Sequence, residues 1–138
     1  MADTPRLADF PCIARDKLRY GDTDRQGHVN NAVFSTFLET GRAELLLNAE
    51  RPMADSGCAF VIARLLLDFR GEILWPGEVT IGTRVKVVGR SSVTLAQAVF
   101  QDDRCVAIAE TVIVQMDEAT RRSRPLSPAT ADRLASLG

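Results

Sequence analysis

The feature that most constrains this chain is a change in the spacing of its hydrophobic residues along the sequence. Within residues 31–48 the apolar positions recur every three or four residues, which predicts one long helix. From residue 59 onward the apolar positions alternate with polar ones, which predicts a series of strands. One long apolar helix and one run of antiparallel strands predict an α+β fold in which the sheet curls around the helix.

The predicted helix has recognisable ends and two distinct faces. Asn30 or Asn31 is suited to cap its N-terminus, and Pro52 lies beyond its C-terminal end. Gly41 lies on the apolar stripe, where its missing side chain predicts the close approach of a neighbouring segment. The apolar stripe consists of Phe34, Phe37, Leu38, Gly41 and Leu45. The solvated face is expected to hold Glu39, Arg42 and Glu44.

One strand is predicted before the helix, at residues 12–19, and four are predicted after it. The four later strands are predicted at residues 59–69, 79–87, 93–101 and 105–116. A hairpin turn is expected at Asp102 and Asp103, and a short helix from about Pro128. The strand of residues 59–69 carries apolar side chains on both faces, which predicts burial on both sides. One face would hold Val61, Ala63, Leu65, Leu67 and Phe69, and the other Phe60, Ile62 and Leu66.

Composition excludes several classes of protein. With 138 residues, of which 46% are hydrophobic and 25% charged, a single domain over residues 1–138 is expected. No apolar run is long enough to cross a bilayer and the N-terminus lacks a signal-peptide core, so we expect a cytoplasmic protein without a membrane partner. A net charge of −1 argues against a nucleic-acid partner. The three cysteines have no metal-ligand or disulfide spacing, and small buried hydrophobes are favoured over a nucleophile.

The positive charges are unusual in kind. Of the 17 Lys and Arg residues, only Lys17 and Lys86 are lysine. Arginine pairs with phosphates through two parallel hydrogen bonds, so this surface would suit a phosphorylated ligand. A GC-rich genome that favours arginine codons would give the same composition.

The densest polar cluster lies between the first predicted strand and the helix, at residues 20–31. It contains the only tyrosine and the only histidine, Tyr20 and His28, together with two aspartates and two asparagines. Such residues can simply form turns and cap the helix. They can also form a site for acyl transfer: the first helical N–H groups would stabilise an oxyanion, a carboxylate would act as nucleophile or base, and an imidazole would exchange protons.

Here the sequence resembles a known family. The segments Arg19-Tyr20-Gly21-Asp22-Thr23-Asp24 and Gly27-His28-Val29-Asn30-Asn31 are similar to the signature of hotdog-fold thioesterases of the 4-hydroxybenzoyl-CoA thioesterase type. Weaker similarity covers Phe37-Leu38-Glu39 with Arg42, Gly89-Arg90-Ser91-Ser92 and Arg124-Pro125-Leu126. The resemblance implies a hotdog fold, with a long helix wrapped by about five antiparallel strands. It also implies an acyl-CoA thioesterase that releases a free acid and coenzyme A.

The resemblance assigns roles to individual residues. Asp24 matches the catalytic carboxylate, which is a nucleophile or a general base depending on the member, whereas Asp22 matches a structural position. His28 matches a position that several members fill with histidine, so it is expected to be catalytic, the alternative being a structural imidazole bonded within the loop. Asn31 is the third expected catalytic residue, and its backbone N–H would face the thioester carbonyl. Asn30 would orient a water or only cap the helix. Coenzyme A phosphate contacts are expected at Arg90, Ser91 and Ser92, although these residues also suit a polar hairpin turn.

Further expectations concern partners and alternatives. The family implies no metal and no cofactor, because coenzyme A is part of the substrate, and it implies a homodimer or homotetramer whose sheets join edge to edge. The acyl group would enter between protomers. Phe34, Phe37 and Phe60 are candidate walls of its path, the alternative being that each is simply a core residue. The thiol carrier would be coenzyme A or acyl carrier protein. The alternatives are a non-catalytic acyl-thioester binding protein and a hotdog hydratase or dehydratase, although dehydratases pair histidine and acid at other spacings.

Overall fold

The chain folds into one antiparallel sheet that wraps a long helix. The structure is a computed structural model and describes residues 4–47 and 51–138. Its elements, in chain order, are β1 (Cys12–Lys17), α1 (Asn31–Leu46), β2 (Cys58–Phe69), β3 (Glu78–Val88), β4 (Ser92–Gln101), β5 (Arg104–Asp117) and α2 (Pro128–Ala135). The strands lie side by side in the order β1-β3-β4-β5-β2. The predicted α+β hotdog architecture is confirmed, as are the hairpin turn after β4 and the C-terminal helix.

Helix α1 packs its apolar stripe onto the inner face of β1, β3 and β4. Gly41 allows this approach, because a Cβ atom there would lie 2.7 Å from Cγ2 of Ile81. The helix ends at Leu46, and the predicted end at Asn48 lies outside the described residues. The expected solvent position of Arg42 is wrong: the side chain turns inward, is buried, and donates from Nη1 to Oε1 of Gln97 over 3.4 Å.

Strand β2 differs from its prediction in two ways. A bulge between Ile62 and Arg64 breaks the pairing with β5 and shifts the alternation by one residue. Leu65 and Leu67 therefore pack against the core on the same inner side as Phe60, and no longer share a face with Val61. The expected burial on both sides is also wrong for the single chain, because Val61, Ile62 and Leu66 are exposed. The strand lies at the edge of the sheet.

Several large apolar side chains of β2 are exposed, with the charged Arg64 and Asp68 between them. Ile62 is 53% exposed, and Val61, Leu66 and Phe69 are also exposed. Helix α1 packs mainly on β1, β3 and β4, so it covers this strand only in part. An uncovered apolar edge strand is a template for pairing with another strand.

A half-buried carboxylate ties the loop before β2 to the C-terminal helix. Asp55 accepts hydrogen bonds from the hydroxyls of Ser127 (2.6 Å) and Thr130 (2.7 Å) and from the amide of Gln115 (2.9 Å). Burial would raise the pKa of Asp55, but these hydrogen bonds outweigh it and hold the pKa well below its usual range. Ser127 also caps α2, so one carboxylate joins the loop, β5 and the last helix.

Neither the cysteines nor the potential metal ligands of the described residues suggest a thiol or metal site. Cys58 is buried, Cys12 and Cys105 are half-buried, and all three are free thiols. Burial raises the pKa of the Cys12 and Cys105 thiols, which disfavours the nucleophilic thiolate. Within residues 4–47 and 51–138, no three His, Cys, Asp or Glu side chains gather as metal ligands. No helix in these ranges has the length and apolarity required to span a membrane.

Candidate active site

The polar loop before α1 is held by its own backbone and by a buried aspartate. Asp22 is 8% exposed and accepts a hydrogen bond from the backbone N–H of Arg19 through Oδ2, over 3.2 Å. Its carbonyl accepts a hydrogen bond from the backbone N–H of Asn30, over 2.8 Å. These contacts join the start of the loop to the start of the helix, in agreement with a structural role for Asp22.

Asp24 uses one carboxylate oxygen to shape the loop. Its Oδ1 accepts hydrogen bonds from the backbone N–H groups of Gln26 (2.8 Å) and His28 (3.3 Å). Gly27 turns the chain between them at a φ of 83°, a conformation that favours glycine. Within the described residues Oδ2 has no hydrogen-bond partner, and the side chain is exposed. The carboxylate is therefore fixed in place while one oxygen stays available.

The start of α1 offers one free backbone donor. The side chain of Asn30 accepts a hydrogen bond from the N–H of Ala32, over 3.0 Å, and its carbonyl accepts one from Val33. No acceptor in the described chain binds the N–H of Asn31, which is the first residue of the helix. Asn30 is thus the helix cap, and its role toward a substrate stays a prediction. Asn31 has the free donor that an oxyanion site requires.

These residues line one open cavity of about 430 Å³. Its walls are Asp24, His28, Val29, Asn30, Asn31, Phe34, Phe69, Gly71 and Glu72. The structure therefore brings the three predicted catalytic residues together with Asn30. Phe34 packs edge-to-face on Phe69 at 5.0 Å between ring centroids, so two aromatic rings form the apolar wall.

Sequence reasoning missed Glu72. Its Oε2 lies 3.3 Å from Nε2 of His28, on the segment that follows β2. The residue stands alone between Gly71 and Ile73 and belongs to no motif, so no local signal marked it. The two segments meet in the folded chain through the antiparallel bridge between His28 and Leu74, which a local pattern does not reveal.

The other two predicted wall residues lie elsewhere. Phe37 is 1% exposed and belongs to the core between α1 and the sheet. Phe60 lines a second, largely apolar cavity of about 630 Å³ between the C-terminal half of α1 and the start of β2.

The residues predicted to contact the coenzyme A phosphates lie at the opposite end of the sheet within the same chain. Arg90 and Ser91 lie in the hairpin between β3 and β4, and Ser92 begins β4. The site adjoins the other end of β4, where the Gln101 side chain bonds both backbone groups of Leu74. Ten residues of strand separate the two ends, roughly 30 Å at 3.3 Å per residue. One chain does not bring Arg90, Ser91 and Ser92 to the cavity.

Comparison with known proteins bears on the fold and the family. The family model of the thioesterase-like superfamily matches residues 18–134. A thioesterase from Thermus thermophilus, solved in complex with coenzyme A and Zn, is 31% identical, with a TM-score of 0.80 over 91% of this chain and 98% of that one. The PA5185 protein from Pseudomonas aeruginosa strain PAO1 is 23% identical, with a TM-score of 0.85 over 96% of this chain and 95% of that one, and shows the shared fold.

A further relative is known by sequence. A protein of Aquifex aeolicus (strain VF5), provisionally named as an esterase, is 25% identical over 105 residues, which cover 74% of this chain and 82% of that protein. The residues that the family model matches include the polar loop, α1 and most of the sheet. The prediction of a thioester hydrolase of this family is confirmed: the chain belongs to the thioesterase-like superfamily.

Proposed function

We propose that this protein is an acyl-CoA thioesterase, which hydrolyses an acyl thioester to a free acid and coenzyme A. The proposal rests on two groups that lie beside one cavity, the N–H of Asn31 and Oδ2 of Asp24. Neither has a hydrogen-bond partner among the described residues. The 31% identical thioesterase from Thermus thermophilus, a complex with coenzyme A, supports the choice of thiol. An acyl-carrier-protein thioester is the alternative substrate.

The N–H of Asn31 would bind the carbonyl oxygen of the thioester. Charge develops on this oxygen when the carbonyl carbon becomes tetrahedral, and the N-terminus of α1 adds partial positive charge there. A preorganised donor of this kind contributes about 3 kcal/mol to the stability of the transition state. Because the donor belongs to the backbone, side-chain substitutions in the loop leave it in place.

Asp24 would start the reaction, either by attacking the carbonyl carbon or by activating a water that attacks it. In the net reaction the carbon gains the oxygen of water, the carbon–sulfur bond breaks, and the sulfur leaves with a proton. His28 lies in the same cavity and would orient the reacting groups or exchange this proton.

The coenzyme A phosphates would bind Arg90, Ser91 and Ser92 of a second protomer. In one chain these residues lie roughly 30 Å from the site, at the opposite end of the sheet. Antiparallel pairing of two β2 edges would place Phe69 of one copy near the start of β2 in its partner. It would thereby bring the hairpin end of one sheet toward the site of the other. The exposed apolar side chains of the β2 edge support such a homodimer, or a tetramer built from two dimers.

The test is release of free thiol from a panel of acyl-CoA substrates, followed with a thiol-reactive dye. Asp24→Asn keeps the shape of the side chain but removes the nucleophile or base, so we expect kcat to fall by at least about 10²-fold while KM changes much less. His28→Ala should lower kcat less, since Asp24 starts the reaction and His28 only orients the reacting groups or exchanges the proton of the leaving thiol. Asp103→Asn, in the exposed turn between β4 and β5, is the matched control and should leave both constants unchanged.

Three results would count against the proposal. A folded Asp24→Asn variant, verified by thermal melting, that keeps most of its kcat would return Asp24 to the role of a turn residue. A wild-type protein that binds acyl-CoA but releases no thiol would favour the non-catalytic binding protein. Hydration of an enoyl-CoA without thiol release would favour the hydratase alternative.

A further inference from the structure

We propose that Glu72 is a positioning residue that holds His28 with its proton on Nε2, so that Nδ1 is the nitrogen that accepts a proton. This inference rests on the proposed function for its meaning in catalysis, although the contact itself is a property of the fold. Glu72 reaches the cavity from the segment after β2, outside the polar loop and outside every motif in the sequence.

The contact joins the only histidine of the chain to a carboxylate. Nε2 of His28 lies 3.3 Å from Oε2 of Glu72, and both side chains line the cavity that contains Asp24. The distance exceeds the roughly 2.7–2.9 Å of a charge-assisted hydrogen bond. Catalytic contacts in sites without substrate are often long and tighten when substrate binds.

Glu72 is exposed, but its backbone is held firmly. The N–H groups of Arg70 and Gly71 both donate to the carbonyl of Val106, and the carbonyl of Ile73 accepts from Val29 over 2.9 Å. Ile73 is fully buried in the core. The carboxylate therefore extends from a fixed segment that is bonded directly to the loop carrying His28, so its position does not depend on a flexible loop.

The carboxylate has a chemical consequence for the imidazole. A carboxylate accepts hydrogen bonds and cannot donate them, so it selects the tautomer that carries its proton on Nε2. Nδ1 then has the free lone pair. It can accept the proton that water gives up in the net reaction started by Asp24 and pass it to the sulfur of the departing thiol, which balances the net hydrolysis.

The test uses Glu72→Gln, which keeps the size of the side chain but can donate as well as accept. Because His28 is the only histidine, ¹⁵N labelling of histidine reports on this imidazole alone. At a pH where the ring is neutral, we expect the wild type to carry its proton on Nε2 and the variant to show a mixture of tautomers. Glu44→Gln, on the exposed side of α1, is the matched control and should give the wild-type spectrum.

Kinetics supply the second measurement. Glu72→Gln should lower kcat about tenfold with little change in KM, and never by more than His28→Ala does. In a His28→Ala background the same substitution should have no further effect, because its only route to the reaction is removed.

Each outcome has a defined meaning. Unchanged tautomer signals, or a loss of kcat that persists undiminished without His28, would overturn the role of Glu72 while leaving the thioesterase intact. An inactive wild type would remove the proposed function, and the spectra would still decide whether Glu72 selects the tautomer.

Discussion

A mixture of two defective variants should recover activity if each site is built from two protomers. The variants are Asp24→Asn, which we expect to disable the chemistry, and Arg90→Ala, which we expect to weaken binding of the coenzyme A phosphates. In a single chain these residues lie at opposite ends of the sheet, about 30 Å apart by the length of β4. They can serve one substrate only when a second copy brings its hairpin to the site.

The size of the recovery follows from the geometry alone. In a mixed dimer, one site combines both lesions and the other combines intact Asp24 with intact Arg90. Random exchange of equal amounts makes half of the dimers mixed, and one of the two sites in each is intact. The mixture should therefore reach about a quarter of the wild-type rate per protomer.

The assay is thiol release at a substrate concentration well below the wild-type KM, where the loss caused by Arg90→Ala is greatest. The rate is measured at the moment of mixing and again after subunit exchange, which differently tagged variants make visible by native mass spectrometry. The sample at the moment of mixing is the control and should give only the average of the two parents.

Two results would refute the prediction of a site shared between protomers. If mixed dimers form and the rate stays at the average of the parents, then Asp24 and Arg90 do not act across the interface. If Arg90→Ala alone is as active as the wild type, the assignment of the phosphate contacts is wrong before any mixing.

The remaining predictions concern Arg90, the β2 edge and Asp55. Arg90→Ala should raise KM for acyl-CoA but not for a pantetheine thioester without the nucleotide, and equal losses on both would show an effect on the fold. Ile62→Lys should raise the monomer fraction in light scattering, whereas Val87→Lys, equally exposed on β3, should not; a monomeric wild type would contradict the edge pairing. Asp55→Ala should destabilise the fold by about 2 kcal/mol at neutral pH. Because the pKa of Asp55 is lowered in the folded state, this stability is present above the usual carboxyl pKa of about 3.9 and lost as the pH falls below it. The gap in melting temperature between wild type and variant should therefore narrow in acid, and a constant gap would refute the assignment.

The order of elements could be predicted because each element carries its own periodicity. The stripe that includes Phe34, Phe37 and Leu38 is buried as expected, since a helix shows one face to the sheet whatever the sheet's details. The faces of β2 could not be predicted, because one extra residue near Ala63 exchanges the two faces and leaves no mark in the pattern. The exposure of Ile62 depends on strand order, which a local pattern does not encode.

Long side chains and distant pairs were also beyond a local pattern. Arg42 lies on the polar side of the helical sequence, yet its aliphatic stem lets the guanidinium reach inward to Gln97. The pairing of His28 with Glu72 depends on the register between the polar loop and the segment after β2. In both cases the decisive contact joins parts of the chain that are far apart in sequence.

The two interpretations of the polar loop, as a set of turns and caps or as a catalytic site, are compatible in this structure. Asp24 forms the turn with Oδ1, and that turn is what leaves Oδ2 fixed and free at the cavity. Asn30 caps the helix by engaging the N–H groups of Ala32 and Val33, which leaves the N–H of Asn31 as the unoccupied donor among the described residues. The hydrogen bonds of the turn and of the cap hold both groups in fixed positions, and the stabilisation of a developing charge requires such preorganised groups. A substitution that only loosens the turn should therefore lower kcat even when Asp24 itself is unchanged. Gly27→Ala is the variant that tests this, because alanine is strained at the positive φ of this position. We expect kcat to fall while the fold stays intact.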